Sequence, residues 1–565
     1  MKEVSSDPTG LIPSEKSDGV SRRRFIGTLG ATAAGAVALG AAVPESVNAA
    51  TPPVQPPGNS FYQQRAQAAY QYRVNCANDN RGVVNGRFSR PNNGDEDLYS
   101  NRIGSYSKAL PHQANGEVVP AAYDALLNAI RTGDPAEFEQ IPMGGTIKLT
   151  SPQSGFAFDL EGSDAFSMTQ PPAPAFASRE IAAEISENYW MALLRDVPFT
   201  DYPSNPIAAA AAADLTLYGV DFKGAKDSNG NVTPNLLFRG RTAGDKAGPL
   251  MSQFWYHPCH FGANEINQKI RTVMSGIDYM TDFPTWLARQ NGVAPPSGPL
   301  YDPVLRYMRN GRDIGEWVHI DVLFQGYFQA FLIIAGLGVP FDNGNPYKTS
   351  QTQAGFATFG GPHIATLLCE VSTRALHAVW NQKWMVHRRI RPEAFAERVD
   401  RTAHHTADYP VHAEILNSVN SATRLGGYLS PGNALLPMAF PEGCPTHPAY
   451  GAGHATVAGA CTTILKAWFD ESFVIPNPVV PDPTGQVLVP YVGDPLTIGG
   501  ELNKIASNVA NGRNMAGVHW RSDATESLKL GESIAISIMK DQKLSYNETF
   551  SGFSLTKFDG TTVVV

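Results

Sequence analysis

The chain has 565 residues, 42% of them hydrophobic and 17% charged, so it is long enough to bury a large core in one domain or several. Its net charge of -8 at pH 7 and its isoelectric point near 5.9 exclude a broad basic surface for DNA or RNA. We therefore expect its cationic clusters to serve one local anion.

The N-terminus has the pattern of an export signal. Ser21-Arg-Arg-Arg-Phe25 precedes a weakly apolar run that ends at Val43, and Val47-Asn-Ala49 offers a small-residue cleavage site. Residues 1–49 thus resemble a twin-arginine signal, which predicts a periplasmic or extracellular protein. A single membrane anchor is the alternative, but the Gly and Ala content of the run is poor for one. We expect no stable membrane anchor after processing.

The rest of the chain reads as mainly helical. Residues 50–120 are rich in Pro, Asn, Gly and Arg with little periodicity, which predicts an irregular arm. Amphipathic helices are predicted within 176–220, 263–290, 315–336, 363–386, 455–470 and 525–541. Alternating patterns predict short strands within 487–492 and 561–565. Residues 121–565 are therefore predicted to form one mainly α domain with long loops and a few short strands.

The first segment with candidate functional residues runs from Lys383 to Pro392. Helical periodicity and a separation of a little over two turns predict that Lys383 and Arg391 lean toward one side of a helix. Pro392 disfavours helical geometry at Arg391, so the helix is expected to end there. A solvated basic helix end that complements the helix dipole is the alternative.

A glycine turn forms the second segment. Gly451-Ala452-Gly453 opens into a run of helical spacing that begins at His454. Such a turn leaves backbone N–H groups free for an anion, and the helix dipole favours negative charge there. A plain turn with a capping histidine is the alternative.

The third segment pairs an imidazole with a carboxylate. His519 and Asp523 are four residues apart on a predicted helix, and Arg513 is predicted in the loop that enters it. A neighbouring carboxylate fixes the imidazole tautomer and raises its basicity, as a nucleophile or a metal ligand requires. A surface pair is the alternative for these two residues alone. The three segments together predict one pocket for an oxyanion such as phosphate or vanadate.

These segments resemble the signature that vanadium-dependent haloperoxidases share with bacterial and lipid acid phosphatases. The matching residues are Lys383, Arg391-Pro392, Gly453-His454, Arg513 and His519. Stretches at 315–321, 355–364 and 441–448 resemble the algal-type bromoperoxidases, so the likeness covers about 310–540, the predicted active-site half. Haloperoxidases are favoured over phosphatases by the seven residues between Lys383 and Arg391 and by His447, seven residues before His454.

The resemblance implies a haloperoxidase-like fold of two four-helix bundles, a vanadate cofactor and a homo-oligomer. It implies that bromide or iodide is oxidised with hydrogen peroxide to a hypohalous acid, which halogenates small organic acceptors. Two alternatives remain. One is a phosphatase of the same superfamily with His519 as nucleophile and His454 as general acid, and the other is a non-catalytic exported protein with a decayed pocket.

The resemblance also implies a role for each site residue. His519 would bind vanadium(V), with Asp523 as the partner of its other ring nitrogen. The equatorial oxygens would be neutralised by Lys383, Arg391, Arg513 and the Gly453 amide. His454 would bond the apical oxygen and move protons, and Lys383 would make bound peroxide more electrophilic. His447 and Trp380 would lie near the halide.

One position departs from the family pattern. Ala452 stands where the family usually has Ser, so one hydrogen bond to the oxyanion is lost. We expect weaker vanadate retention or an altered peroxide step, with activity kept, unless water or another donor compensates.

Overall fold

The computed structural model describes residues 60–84, 90–160, 164–421, 424–429 and 432–565. The chain divides into two units, residues 1–64 and 65–565, and all contacts described below lie within the second. The predicted export signal over residues 1–49 lies outside the described residues.

Helices dominate the described residues, as predicted. In chain order the α-helices are α1 Ser60–Val84, α2 Asp95–Leu98, α3 Pro120–Thr132, α4 Pro135–Phe138, α5 Arg179–Leu193, α6 Pro206–Leu217, α7 Phe283–Gln290, α8 Gly311–Ile320, α9 Gln325–Gly336, α10 Gly361–Asn381, α11 Pro392–Ala403, α12 Ala413–Asn420, α13 Gly453–Trp468, α14 Ile498–Met515 and α15 Arg521–Lys543. A π-helical turn, Gln382–His387, follows α10 directly. Short 3-10 turns lie at Pro152–Phe156, Ala165–Ser167, Phe199–Ser204, Gly219–Asp221, Pro234–Leu236, Gln253–Trp255 and Leu425–Gly427.

The strands form three small antiparallel pairs. They are β1 Cys259–Phe261 with β2 Asn264–Ile266, β3 Val479–Pro481 with β4 Leu488–Pro490, and β5 Ser554–Thr556 with β6 Thr562–Val564. Val479 is paired with Pro490, and Thr556 with Thr562. The predicted strands within 487–492 and 561–565 are therefore confirmed as β4 and β6.

Helix α13 lies at the centre of the main helical group. It is almost entirely buried and packs against α10, α14 and α15. A Cβ at Gly459 would lie 2.1 Å from the Leu528 carbonyl oxygen, and a Cβ at Gly531 would lie 1.9 Å from a backbone oxygen of α13. These glycines let α13 and α15 approach closely. The packing fixes the first turn of α13, which carries the glycine turn of the second segment.

A second group consists of α5, α6, α11 and α12, which pack against one another. Helix α5 also contacts α14, so it joins this group to the main one. Helix α11 begins at Pro392, which suits the first position of a helix because proline has no N–H to donate. The second group therefore carries Arg391, the residue before α11, to the site.

The prediction of an irregular arm over residues 50–120 is wrong for Ser60–Val84, which is the helix α1. This helix is mostly exposed and has little amphipathic character. Its Gln, Ala and Arg residues favour helical backbone without forming an apolar stripe, so a search for apolar periodicity passes over it.

Two predicted helices are also shorter or broken. Within 263–290 the α-helix spans only Phe283–Gln290, and residues 264–266 form β2. The predicted helix 315–336 is two helices, α8 and α9, separated by residues 321–324. Among the described helices, none alone has the length and apolarity to cross a membrane, and α8 with α9 reaches them only across a 103° bend.

Candidate active site

Residues of the second and third segments line one cavity of about 270 Å³, and Arg391 of the first segment contacts His447 and His519 in its wall. The side chains that line it are His319, Leu323, Leu376, Trp380, Phe440, Glu442, Pro445, His447, Gly453, His454, Arg513 and His519. A larger surface cavity of about 670 Å³ near His257 is lined by none of the predicted site residues. The smaller cavity is thus the one lined by predicted site residues, namely Trp380, His447, Gly453, His454, Arg513 and His519.

Lys383 lies in the π-helical turn and is completely buried. Its Nζ donates hydrogen bonds to the carbonyl oxygens of Pro448 (2.8 Å) and Ala449 (3.2 Å), in the second segment. The Trp380 ring centroid is 5.7 Å from Nζ. Lys383 therefore joins the first segment to the second.

Arg391 forms hydrogen bonds to residues of both other segments of the site. The prediction that one helix extends to Arg391 is wrong, because α10 ends at Asn381 and Arg391 is the N-cap of α11. Its Nη2 lies 2.8 Å from His447 Nδ1, and its Nη1 lies 3.0 Å from His519 Nε2. Nη1 also donates to the Val518 carbonyl oxygen at 2.6 Å. One guanidinium thus contacts both of the other segments.

Arg513 lies in the last turn of α14, so its predicted position in a loop is wrong. Its Nη1 donates to the Val318 carbonyl oxygen at 2.7 Å, and its guanidinium carbon lies 5.4 Å from the Phe440 ring centroid. The Nε atom is buried, and no described residue forms a hydrogen bond with it. An unpartnered buried donor of this kind costs free energy, which an anion in the cavity would recover.

His519 contacts Asp523 as predicted, although the two do not share a helix. His519 precedes α15, and Asp523 lies in its first turn. His519 Nδ1 lies 2.8 Å from Asp523 Oδ2, which also accepts from the Trp520 N–H at 3.2 Å. The other carboxylate oxygen of Asp523 accepts from Arg389 at 2.8 Å. The carboxylate is therefore fixed from several sides and holds the imidazole in turn.

The contacts of Arg391 assign the protonation of two histidines. A guanidinium can only donate, so His519 Nε2 and His447 Nδ1 are acceptors and both rings are neutral. His447 Nδ1 is also 3.3 Å from the Pro448 carbonyl oxygen, a longer contact that does not change this assignment. Burial and the charges of Lys383 and Arg391 hold the pKa of both histidines well below 6.5.

His454 has a carboxylate partner that the sequence patterns did not single out. Gly453 is the first residue of α13, so the predicted glycine turn at a helix start is confirmed. His454 Nε2 lies 2.9 Å from Asp321 Oδ1, and Asp321 Oδ2 is buried without a partner. Burial lowers the pKa of His454, against the opposing effect of Asp321. The position of Asp321 directly after α8 was the available signal.

Ala452 is the N-cap of α13 and is buried in the hydrophobic core. Its N–H donates to Ser527 Oγ at 2.8 Å, and Gln170 donates to the same hydroxyl at 3.0 Å. Ser527, on α15, thus holds the backbone at the position where the family usually has Ser.

Trp380 and His447, predicted to lie near the halide, are adjacent in the cavity wall. Their ring centroids are 4.9 Å apart. The Trp380 Nε1 donates to the Thr150 carbonyl oxygen at 3.2 Å, which fixes the indole. The sequence patterns gave no role to His319 and Glu442, which line the same cavity and form a hydrogen bond of 2.6 Å.

The three site cations lack carboxylate partners. Within the described residues, none of Lys383, Arg391 and Arg513 forms an ion pair, whereas Arg389 and Arg521 are equally buried and each pair with glutamate. Burial lowers the pKa of all three site cations, to about 10 for Arg513, and the charge of Arg391 adds to this effect for Lys383 and Arg513. Burial acts in the same direction on Arg389 and Arg521, but their carboxylate partners raise the pKa. The pocket therefore has three cations without a direct ion pair, an arrangement that suits an anion.

Comparisons with known proteins agree with this chemistry. The chain is 37% identical to a vanadium-dependent bromoperoxidase from Corallina pilulifera over 600 residues, which cover 89% of this chain and 99% of that protein. It is 36% identical to a vanadium-dependent bromoperoxidase from Ascophyllum nodosum, over 85% of this chain and 88% of that protein.

The chain belongs to the vanadium-dependent haloperoxidase family. The family description "VCPO second helical-bundle domain" matches residues 365–547 of this haloperoxidase. Its fold matches the homohexameric structure of the second vanadate-dependent bromoperoxidase of Ascophyllum nodosum with a TM-score of 0.84 at 29% identity, over 92% of this chain and 94% of that one. The predicted mainly helical, haloperoxidase-like fold is confirmed.

The pocket of this haloperoxidase fits a vanadate oxyanion. Three cations without carboxylate partners and the unpartnered Arg513 Nε supply positive charge and donors. Gly453 places a backbone N–H at the start of α13, where the helix dipole favours negative charge. His519 supplies a neutral ring whose Nδ1 is occupied by Asp523. Its Nε2, which here accepts from Arg391 Nη1 at 3.0 Å, is the nitrogen that would bind a metal centre in place of that hydrogen bond.

Proposed function

We propose that this haloperoxidase holds vanadate in the pocket and oxidises bromide, and iodide, with hydrogen peroxide. The observation that carries the proposal is the set of three buried cations without carboxylate partners beside a neutral His519 held by Asp523. Bound vanadate would supply a Lewis-acidic vanadium(V) centre that activates hydrogen peroxide without a change of oxidation state.

The cations bind and orient the anion. Lys383, Arg391 and Arg513 are anchored by backbone carbonyl oxygens, so their side chains are positioned before any ligand arrives. The Gly453 N–H adds a neutral donor. His519 presents Nε2 while Asp523 prevents its ring from turning. Burial and the charge of Arg391 lower the pKa of Lys383, and the negative charge of a bound anion would favour its protonated form. A protonated Lys383 would be suited to withdraw electron density from peroxide oxygen.

His454 and Asp321 are placed to move a proton. Oxidation of bromide by hydrogen peroxide to hypobromous acid and water consumes one proton, so the site must supply it. His454 Nε2 is occupied by Asp321, which leaves Nδ1 to exchange protons with the cavity. The Asp321 carboxylate stabilises the imidazolium form of His454 when it carries the proton.

The assignment of bromide rests on the relatives, whose names state bromoperoxidase, and on the paired Trp380 and His447 in the wall. Neutral hypohalous acid would leave the cationic cavity and halogenate small organic acceptors. A phosphatase is not favoured, because the relatives that match most of the chain are bromoperoxidases. A decayed, non-catalytic pocket is not favoured, because the other signature residues line the cavity or contact its wall.

Reconstitution with orthovanadate tests the function. We expect the mature protein to brominate a phenol-type dye in the presence of peroxide and bromide, and to release little phosphate from an aryl phosphate. Phosphate release without bromination would replace the proposal with the phosphatase reaction. The absence of both activities would indicate the decayed pocket.

We also propose export by the twin-arginine route and a homo-oligomeric assembly. Export is supported by the pattern at Ser21-Arg-Arg-Arg-Phe25, and assembly by the homohexameric relative. Substitution of Arg22 and Arg23 together by Lys should retain the protein in the cytoplasm, which fractionation measures. Light scattering of the mature protein should give a mass that is a multiple of one chain.

A further inference from the structure

The wall of the active-site cavity contains one acidic side chain among the described lining residues, Glu442. Its Oε1 accepts a hydrogen bond of 2.6 Å from His319 Nε2, and its side chain is 34% exposed. The other His319 nitrogen, Nδ1, donates to Glu316 Oε2 at 3.2 Å. The His319 ring stacks on Phe440 with centroids 3.8 Å apart and planes 8° apart. The imidazole is therefore fixed on both edges and on one face.

The two carboxylates determine the charge of His319. An imidazole that donates from both nitrogens is an imidazolium. Burial alone would lower the pKa of His319, but hydrogen bonds to Glu316 and Glu442 and the charges of both raise it to about 9. At neutral pH the positive charge of His319 in the wall thus lies between two carboxylates, Glu442 in the wall and Glu316 outside the lining. The other charged or titratable groups that interact with this cluster are Lys108, Tyr279, Tyr301 and Arg513.

We propose that Glu442 and His319 together set the affinity of the cavity for the halide anion. This inference rests on the proposed function and names its halide-selecting residues. The negative charge of Glu442 opposes entry of an anion into a cavity that is otherwise cationic. The positive charge of His319 offsets that repulsion. Hydrogen peroxide is neutral, so the charges of Glu442 and His319 should not affect its entry. Glu442 acts as a specificity-determining residue, and His319 acts through it as a positioning residue.

Charge-neutral substitutions test the pair through the sign of their effects. Glu442→Gln removes a negative charge, and the KM for bromide should fall by about two- to fivefold. His319→Gln removes the positive charge that masks Glu442, and the KM for bromide should rise by about the same factor. The double variant has the same net charge in this cluster as the native protein, so its KM for bromide should return close to the native value. The KM for hydrogen peroxide should stay constant throughout.

A matched control separates this effect from a general change of charge. Glu370 on α10 is 39% exposed, pairs with Arg374 at 3.2 Å and does not line the cavity. Glu370→Gln should leave both KM values unchanged. Because Phe440 also contacts the Arg513 guanidinium, vanadate affinity is measured for every variant. Equal shifts of the KM for bromide and the KM for peroxide would show a structural role and overturn the inference. A double variant whose KM for bromide is higher than that of either single variant would do the same.

Anion entry has a second readout that needs no turnover. Trp380 lines the cavity and is half-buried, whereas the other seven tryptophans are buried. Iodide should therefore quench mainly Trp380 in the vanadate-free protein, and Trp380→Phe should remove that quenching. Glu442→Gln should strengthen iodide quenching and His319→Gln should weaken it, with acrylamide quenching unchanged.

The two readouts distinguish the possible failures. Identical iodide quenching in all variants would overturn the inference even if the protein oxidises bromide. The expected quenching pattern without bromide oxidation would uphold the anion selection and overturn the proposed function.

Discussion

A single carboxylate determines which nitrogen of His519 faces the cavity. Asp523 accepts from Nδ1 at 2.8 Å and is itself fixed by Arg389 and the Trp520 N–H. Without this acceptor the ring could adopt the other tautomer or turn. The carboxylate is also buried, and burial raises its pKa against the effect of Arg389. Asp523 therefore contributes to the site by orienting the His519 ring as well as by its charge.

Asp523→Asn should raise the Kd for vanadate by about 10- to 100-fold, as loss of an outer-shell partner of a metal-binding histidine commonly does. The matched control is Asp245→Asn, which alters a buried carboxylate bonded to Thr242 and Ser507 outside the cavity. The control should lose stability but keep its vanadate affinity. Isothermal titration with orthovanadate measures both, and an unchanged Kd in Asp523→Asn would refute the orienting role.

Ala452→Ser restores the hydroxyl that the family usually has at this position. We expect the Kd for vanadate to fall by about 10- to 100-fold, which corresponds to roughly 1.5–3 kcal/mol for a hydrogen bond to a charged group. Ala452 is also an N-cap without a side-chain hydrogen bond, so serine should stabilise the vanadate-free protein by about 1 kcal/mol. Thermal unfolding and vanadate titration separate the two effects. A gain in stability alone would show that the serine only caps α13.

The residue types of the site were predictable, but several of their partners were not. Lys383, Arg391 and His519 stand out through spacing and through the resemblance. Asp321 lies at the end of a helix, and Glu442 lies in a loop. No local sequence pattern identifies either carboxylate as a site residue. Their partners are 133 and 123 residues away in the chain, so only the fold identifies the pairs.

At the level of elements, predictions succeeded where a helix buries one face. Helices α13 and α15 follow their apolar patterns, and α1 was missed because it buries little. Residues 263–282 have helix-like spacing, yet the backbone of Ile270 bridges to Arg306 and that of Val273 to Tyr301. These non-local hydrogen bonds compete with helix formation, and a single sequence does not reveal them.

The close contact of α13 and α15 predicts a large effect of one methyl group. Gly531→Ala would bring Cβ within 1.9 Å of a backbone oxygen, so the helices must separate. We expect a loss of about 1–3 kcal/mol in the free energy of unfolding, together with weaker vanadate binding. Gly336→Ala is the matched control, because that helical glycine has open space around its Cβ position.

The control should be neutral or stabilising by up to about 1 kcal/mol. Denaturant unfolding of both variants measures the difference. Equal stabilities of the two variants would contradict the tight helix crossing.

For the whole molecule, His319 links stability to pH. Its pKa is raised from 6.5 to about 9, so the protonated ring stabilises the folded state. This stabilisation is fully present below pH 6.5 and is lost as pH rises through about 9. Its full value is roughly 3 kcal/mol.

The native protein and His319→Gln should therefore differ most in unfolding free energy below pH 6.5 and least above about pH 9. Denaturant unfolding at a series of pH values measures this difference. A difference that is constant with pH would contradict the ion-paired state of His319.

The central claim is that three buried cations without direct ion pairs make this cavity a vanadate site for halide oxidation. The most direct test is a titration of the vanadate-free protein with orthovanadate, during which bromide-dependent consumption of hydrogen peroxide is recorded. We predict that activity rises to saturation at one vanadate per chain and that inorganic phosphate competes for the site. Peroxide consumption that is absent at saturation, or that does not depend on bromide, would contradict the claim.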